Sequence, residues 1–409
     1  MNARPYPAFF GYGIEIEHMI VDTQTLDVRP IADQLLRSVG GGYEFEVERG
    51  DARWSNELAL HVIEMKTAGI SRDLEDSAAV FRRQVDEMNA LLAPMGARLL
   101  PGGMHPWMQP ERELVLWPHE NDVIYRTFDR IFDCRGHGWA NLQSVHINLP
   151  FQNDEEFARL HAAIRVVLPL VPALAASSPF VEGKRAPALD YRVEVYRHNA
   201  RRVPSVSGSI IPERVFSEAA YQSDLLQKIY DDLRPLDPDE TLLEEWVNAR
   251  GAIARFERGA IEIRLIDTQE CPEQDLALVT LVTAVVQALA EGRFGPPERL
   301  QLWDEKRLEA ILLPCVEHAS RAVVTDREYL DLFELEASDL MAGEVWSRLA
   351  DRLLPSASPA RRRLEVVFSR GTLAERLVRA AGLAPSHEKL VSTYRTLAAC
   401  LAEGTAFLG

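Results

Sequence analysis

Three features of this sequence predict an α+β fold, a mainly antiparallel or mixed sheet with helices covering one face. Short segments of alternating polarity recur through roughly the first 150 residues. A hairpin-like pair of such segments returns around Glu257-Arg258-Gly259, and beyond Pro272 the pattern is helical.

Taken in order, "GIEIEHMIVD" (Gly13–Asp22) reads as a strand, "PIADQLLRSV" as a helix and "GGYEFEVERG" as a second strand. "LHVIEMKTAG" is a third, closed by Gly69. A helix is expected from Ser71 to Leu92, with Ser71 as its cap and Glu75 in its first turns. "QSVHINLPF" is another strand, stopped by Pro150, and a helix from Asp154 to about Ser177 should be kinked or broken at Pro169 and Pro172. The Arg-rich stretch from Gly183 to Pro212 is too long for a simple connection, which points to a binding loop or lid. "GAIARFERGAIEIRLIDTQ" is a hairpin. The last helix is expected from about Ser386 to Glu403. No linker divides the chain, so residues 1–409 are expected to form one domain. Residues 1–292 would be its sheet-containing core and 293–409 a mainly helical extension.

The chain has 409 residues, 47% hydrophobic and 26% charged, with a net charge of −17. That excess of acid argues against nucleic acid or an anionic membrane as the main partner. Cys134, Cys271, Cys315 and Cys400 form no CxxC pair, which argues against a disulfide framework or zinc cluster and fits a cytoplasmic protein. Leu276–Ala290 is apolar but too short to span a bilayer, so a buried helix is expected.

The chemistry is concentrated in strands that carry charges where a core is due. Glu15 and Glu17 sit two apart and share a face, about 7 Å apart along the strand. Glu64 lies between Ile63 and Met65, with Glu57 upstream. His146 and Asn148 share a face of "SVHINL", as do Glu262 and Arg264 of "AIEIRLID". Singly, each has an ordinary explanation: a solvated strand face, a same-face ion pair, a hydrogen-bonded core histidine. Gathered on one sheet face they would repel without cations. Oxygen ligands with one imidazole suit Mg2+ or Mn2+ better than zinc. Such ions commonly neutralise phosphate, and Arg264 would then face a migrating phosphoryl group or a substrate carboxylate. "GGMHPW" is no recognised phosphate cradle, and Ser177 and Ser178 are explained as well by capping as by substrate contact. A metal-dependent phosphohydrolase and a non-catalytic nucleotide-binding protein remain as alternatives.

In sequence order, "GIEIEHMIVD", "NELALHVIEMKT", "GGMHPW", "SVHINL", "ALAASSPFVEG", Arg192, "WVNARG" and "AIEIRLIDTQ" resemble the carboxylate–amine ligases related to type 2 glutamate–cysteine ligase. The resemblance spans about Gly13 to Gln269. It implies a curved antiparallel sheet forming a glutamine synthetase-like funnel. By position it marks Glu15, Glu17, Glu57, Glu64, His146 and Glu262 as metal ligands, Arg264 as the phosphate-facing arginine and Arg192 as an arginine of the substrate loop, toward the nucleotide. Glu64 and Arg264 are its catalytic assignments. The implied chemistry joins a glutamate-like acid to an amine with ATP, through an acyl phosphate, with no nucleic-acid or membrane partner and a homodimer admissible. Where many relatives read HVHVG, this chain reads Ser144-Val145-His146-Ile147-Asn148.

Overall fold

The computed structural model describes residues 4–409. Its centre is an eight-stranded sheet: β1 (Gly13–Asp22), β2 (Glu46–Arg49), β3 (Ala52–Asn56), β4 (Val62–Thr67), β5 (Ala97–Leu100), β6 (Ser144–Pro150), β7 (Ala252–Arg255) and β8 (Ala260–Asp267). The order is β2-β3-β4-β1-β6-β8-β7, with β5 also on β1, and every pairing is antiparallel. The sheet is open, ending at β2 and β7.

Alternation builds the core. Ile14 and Ile16 of β1, Ile63 and Met65 of β4, Val145 and Ile147 of β6, and Ile261 and Ile263 of β8 are all buried in one cluster. Helices α1 (Ala32–Gly40), α2 (Leu74–Leu92), α3 (Asp154–Val167) and α4 (Pro272–Ala290) add to it with Leu35, Phe81, Phe157 and Leu278 among others. Pro272 at the start of α4 occupies a position where no amide hydrogen is needed. The stretches Asp154–Ala175 and Pro272–Ala290 are long and apolar enough to cross a membrane, but most of each is buried inside the protein. The four cysteines are buried and unpaired.

Several local expectations are corrected. Asp73, not Ser71, caps α2, accepting hydrogen bonds from the amides of Glu75 (2.7 Å) and Asp76 (3.3 Å). Ser71 instead bonds the Asp73 carbonyl. The break at Pro169 and Pro172 is as expected: α3 ends at Val167, and a 3-10 turn and a short helix, Val171–Ala175, follow. The stretch 183–212 is not one loop but holds a short helix, Tyr191–Tyr196, and a 3-10 turn, Pro204–Val206. Strands β3 and β5 were not expected from the sequence.

The helical last third is joined to the sheet. Leu390, Tyr394 and Leu397 of the final helix α5 (His387–Glu403) share a cluster with Met19 and Val21 of β1 and Leu100 of β5. Arg376 binds both oxygens of Glu270, at 2.6 and 3.3 Å, with both side chains fully buried.

Candidate active site

The register that buries the isoleucines turns the intervening residues to the other face. Across β1 and β4, Glu17 stands opposite Glu64 and Glu15 opposite Lys66; across β1 and β6, Glu15 stands opposite His146. Glu262 of β8 faces Asn148 of β6. A bulge between Ile263 and Ile266 shifts the β8 register, a device that re-aims side chains at the rim of a site.

Two groups of potential ligand atoms result, each within 4.8 Å: Glu15, His146 and Glu262, and Glu17, Glu64 and His146. His146 Nδ1 is 3.2 Å from Glu15 and 3.6 Å from Glu262, and its Nε2 is 3.9 Å from Glu17. Burial disfavours the imidazolium, but the surrounding Glu15, Glu17 and Glu262 outweigh it and raise the His146 pKa. Metal binding there would require this proton to leave.

The two polar departures from the HVHVG pattern, Ser144 and Asn148, hold the glutamates. The Ser144 amide donates to Glu17 Oε2 at 2.7 Å, and its hydroxyl oxygen lies 3.1 Å from the same atom and 2.8 Å from His146 Nε2. Asn148 Nδ2 donates to Glu15 Oε1 at 3.2 Å.

Lys66, absent from the sequence assignments, lies 2.7 Å from Glu64 Oε2, which also accepts from Ser55 at 2.8 Å. Its place two residues after Glu64 put it on the same face, so the signal was in the strand period. Burial lifts the Glu64 pKa well above the usual range, with Lys66 pulling down and Glu15, Glu57 and Glu17 pushing up. Glu57 lies in the turn between β3 and β4, outside both clusters. Burial, then the charge of Glu17, pushes its pKa up to about 7.

Arg264 Nε donates to Glu262 Oε1 at 2.6 Å, and its terminal nitrogens make no hydrogen bond to a described residue. Burial opposes its charge and Glu262 restores it, leaving the pKa above normal. Arg192 is more constrained. Its Nε pairs with Asp267 and one terminal nitrogen reaches the Arg264 carbonyl at 3.2 Å. Asp267 is held in turn by the Ser177 amide and the Ser178 hydroxyl, each at 2.8 Å. The serines that sequence left undecided therefore position Arg192. Gly103 of "GGMHPW" explains itself here too, since a Cβ on it would fall 2.5 Å from Asp267 Cγ.

Glu17, Glu57, Ser144, His146, Arg192 and Arg264 open onto one cavity of about 260 Å³. The rest of its lining includes the apolar Phe128, Trp139, Leu142, Trp246 and Val247 together with Tyr125, Tyr196 and Asn199. Sequence reasoning gave no sign of this wall, because its residues come from separate segments with ordinary core composition.

Residues 12–392 match the family model described as glutamate–cysteine ligase family 2. The chain belongs to that family. It is therefore a member of a family of carboxylate–amine ligases related to glutamate–cysteine ligase. A protein of Archaeoglobus fulgidus with no assigned activity is 38% identical over 279 residues, covering 68% of this chain and 74% of that one. A Sorangium cellulosum protein provisionally named glutamate–cysteine ligase 2 is 27% identical over 285 residues, 68% of each chain. Among solved structures, glutamate–cysteine ligase of Francisella tularensis in complex with AMP aligns with a TM-score of 0.56 at 10% identity, covering 96% of this chain and 88% of that one. At that identity the likeness speaks for the fold.

Proposed function

We propose that this family member is an ATP- and Mg2+-dependent ligase that joins a glutamate-like carboxylate to an amine through an acyl phosphate. The observation that carries the reading is one buried face holding two ligand clusters beside an arginine with uncommitted donors. The donor set fits a hard divalent cation: carboxylates and one imidazole with no thiol. Burial first, and then the neighbouring carboxylates, raise the pKa values of Glu57 and Glu64 on this face. His146 belongs to both groups and can serve one ion: Glu15, His146 and Glu262 would hold one Mg2+ or Mn2+, and Glu17 and Glu64 would offer carboxylates to a second. Such ions supply charge neutralisation for the phosphate oxygens of ATP.

In this reading the acid's carboxylate oxygen attacks the γ-phosphorus, the bond to the β-phosphate oxygen breaks, and ADP leaves. The free terminal nitrogens of Arg264 stabilise charge on the transferring group. Ser144 and Asn148 keep Glu17 and Glu15 in place, and Asp267 orients Arg192 along the same wall. The amine nitrogen then attacks the acyl carbon, the acyl C–O bond breaks, and phosphate departs with the amine's surplus proton. No covalent enzyme intermediate is required. We read the chain as one catalytic domain in the cytoplasm, a view supported by a core cluster running from Ile14 to Leu401 and by the unpaired cysteines.

An ADP-release assay with saturating Mg2+-ATP tests this. Release should depend on acid and amine together, with glutamate as the first acid and an amide product found by mass. Steady release with neither present would replace ligation by phosphohydrolysis, and nucleotide binding without turnover across a broad panel would mark a non-catalytic relative.

A further inference from the structure

We infer, on the ligase reading above, that the amine substrate carries an apolar side group of about aromatic size and no carboxylate. The cavity has two chemical patches. The first is the charged face already assigned to phosphate chemistry. The second gathers three rings: Phe128 and Trp139, with centroids 5.1 Å apart, and Trp246, 5.9 Å from Phe128. The Trp139 ring nitrogen is spent on the Asn199 carbonyl at 3.0 Å, so that residue offers the cavity an apolar surface. Leu142 and Val247 also line the cavity.

A carboxylate on the amine's side group would lose its hydration against these rings without gaining a partner. The two lining arginines cannot be spared for it. Arg192 is committed to Asp267 and the Arg264 carbonyl, and the free donors of Arg264 belong to the phosphoryl group. The apolar wall has a kinetic use as well: it favours the neutral amine over its ammonium form and keeps water from the acyl phosphate.

The test is calorimetric titration of phenethylamine, with glycine as the zwitterionic comparison, into the full chain holding Mg2+ and a non-hydrolysable ATP analogue. Phenethylamine should bind at least tenfold more tightly than glycine, and Trp246→Leu should remove about tenfold of its affinity while nucleotide affinity stays unchanged, which also verifies folding. Equal or tighter glycine binding, or no effect of Trp246→Leu, overturns the inference. ADP release in parallel samples with glutamate separates the two levels. Turnover with glycine but not phenethylamine overturns the inference alone; phenethylamine binding with no turnover of any amine overturns the ligase reading and, with it, the substrate assignment.

Discussion

Replacing Arg264 by lysine isolates the role assigned to its guanidinium. The side chain is 22% exposed, Nε is tied to Glu262 at 2.6 Å, and the terminal nitrogens are uncommitted beside the ligand clusters. Lysine can keep the ion pair with Glu262, so the fold and the local charge survive. It cannot hold Glu262 and present a fork to a phosphoryl group at the same time. Loss of one preorganised donor to developing charge costs roughly 2.7–4 kcal/mol, or about 10²–10³ in kcat. Steady-state ADP release at saturating acid and amine should therefore show kcat reduced by about that factor. The KM for ATP should move by less than about threefold, because the donors act mainly on charge that develops in the reaction. A kcat within about threefold of the native value would refute the reasoning, as would a loss confined to KM.

Three further outcomes follow from other parts of the molecule. Glu262→Gln removes one member of the Glu15–His146–Glu262 cluster, so Mn2+ titration followed by electron paramagnetic resonance should show at least one site weakened by about tenfold or more; unchanged Mn2+ binding would sink the ligand assignment. Arg376→Met leaves the buried Glu270 carboxylate with the Phe407 amide, at 3.2 Å, in place of a two-pronged ion pair. Urea unfolding should register a loss of roughly 3–5 kcal/mol, much of it recovered in the double variant with Glu270→Leu; a loss below about 1 kcal/mol would contradict the pair's role. His161 is fully buried against Phe157, and burial followed by the charge of Arg165 holds its pKa down to about 3. Below an unfolded pKa of about 6.5 the unfolded chain takes up this proton first, so the residue subtracts stability as pH falls through that window. The stability of His161→Leu relative to the native protein should rise by about 1.4 kcal/mol for each pH unit lowered between 6 and 4; a difference independent of pH would exclude a neutral buried ring.

Much of the sheet was legible because its strands obey a period of two. "GIEIEHMIVD" separates Ile14 and Ile16 from Glu15 and Glu17 without reference to anything else in the chain, and the same holds for β6 and β8. Short strands were not legible: β5 is four residues, "ARLL", too few to distinguish from the end of a helix. The cap at Asp73 was hidden by Ser71, since both types cap helices and only the backbone geometry shows which carboxyl or hydroxyl oxygen meets the free amides. The segment 183–212 looked irregular because its helix, "YRVEVY", is a single short piece ordered by tertiary contacts rather than by periodicity.

The residue types and their alternation, by themselves, determined that several strands present carboxylates, an imidazole and an arginine on the face opposite the core. They also determined the family, through an ordered set of motifs. Only the tertiary structure decided which of those groups meet. A one-residue slip between β1 and β6 would turn His146 away from Glu15, and nothing local forbids it. The register is held by Ile14, Ile16, Val145 and Ile147 packing against helices distant in sequence. The apolar wall of the cavity is likewise a tertiary product: Phe128, Trp139 and Trp246 lie up to a hundred or so residues apart and become one surface only when the sheet brings their segments together.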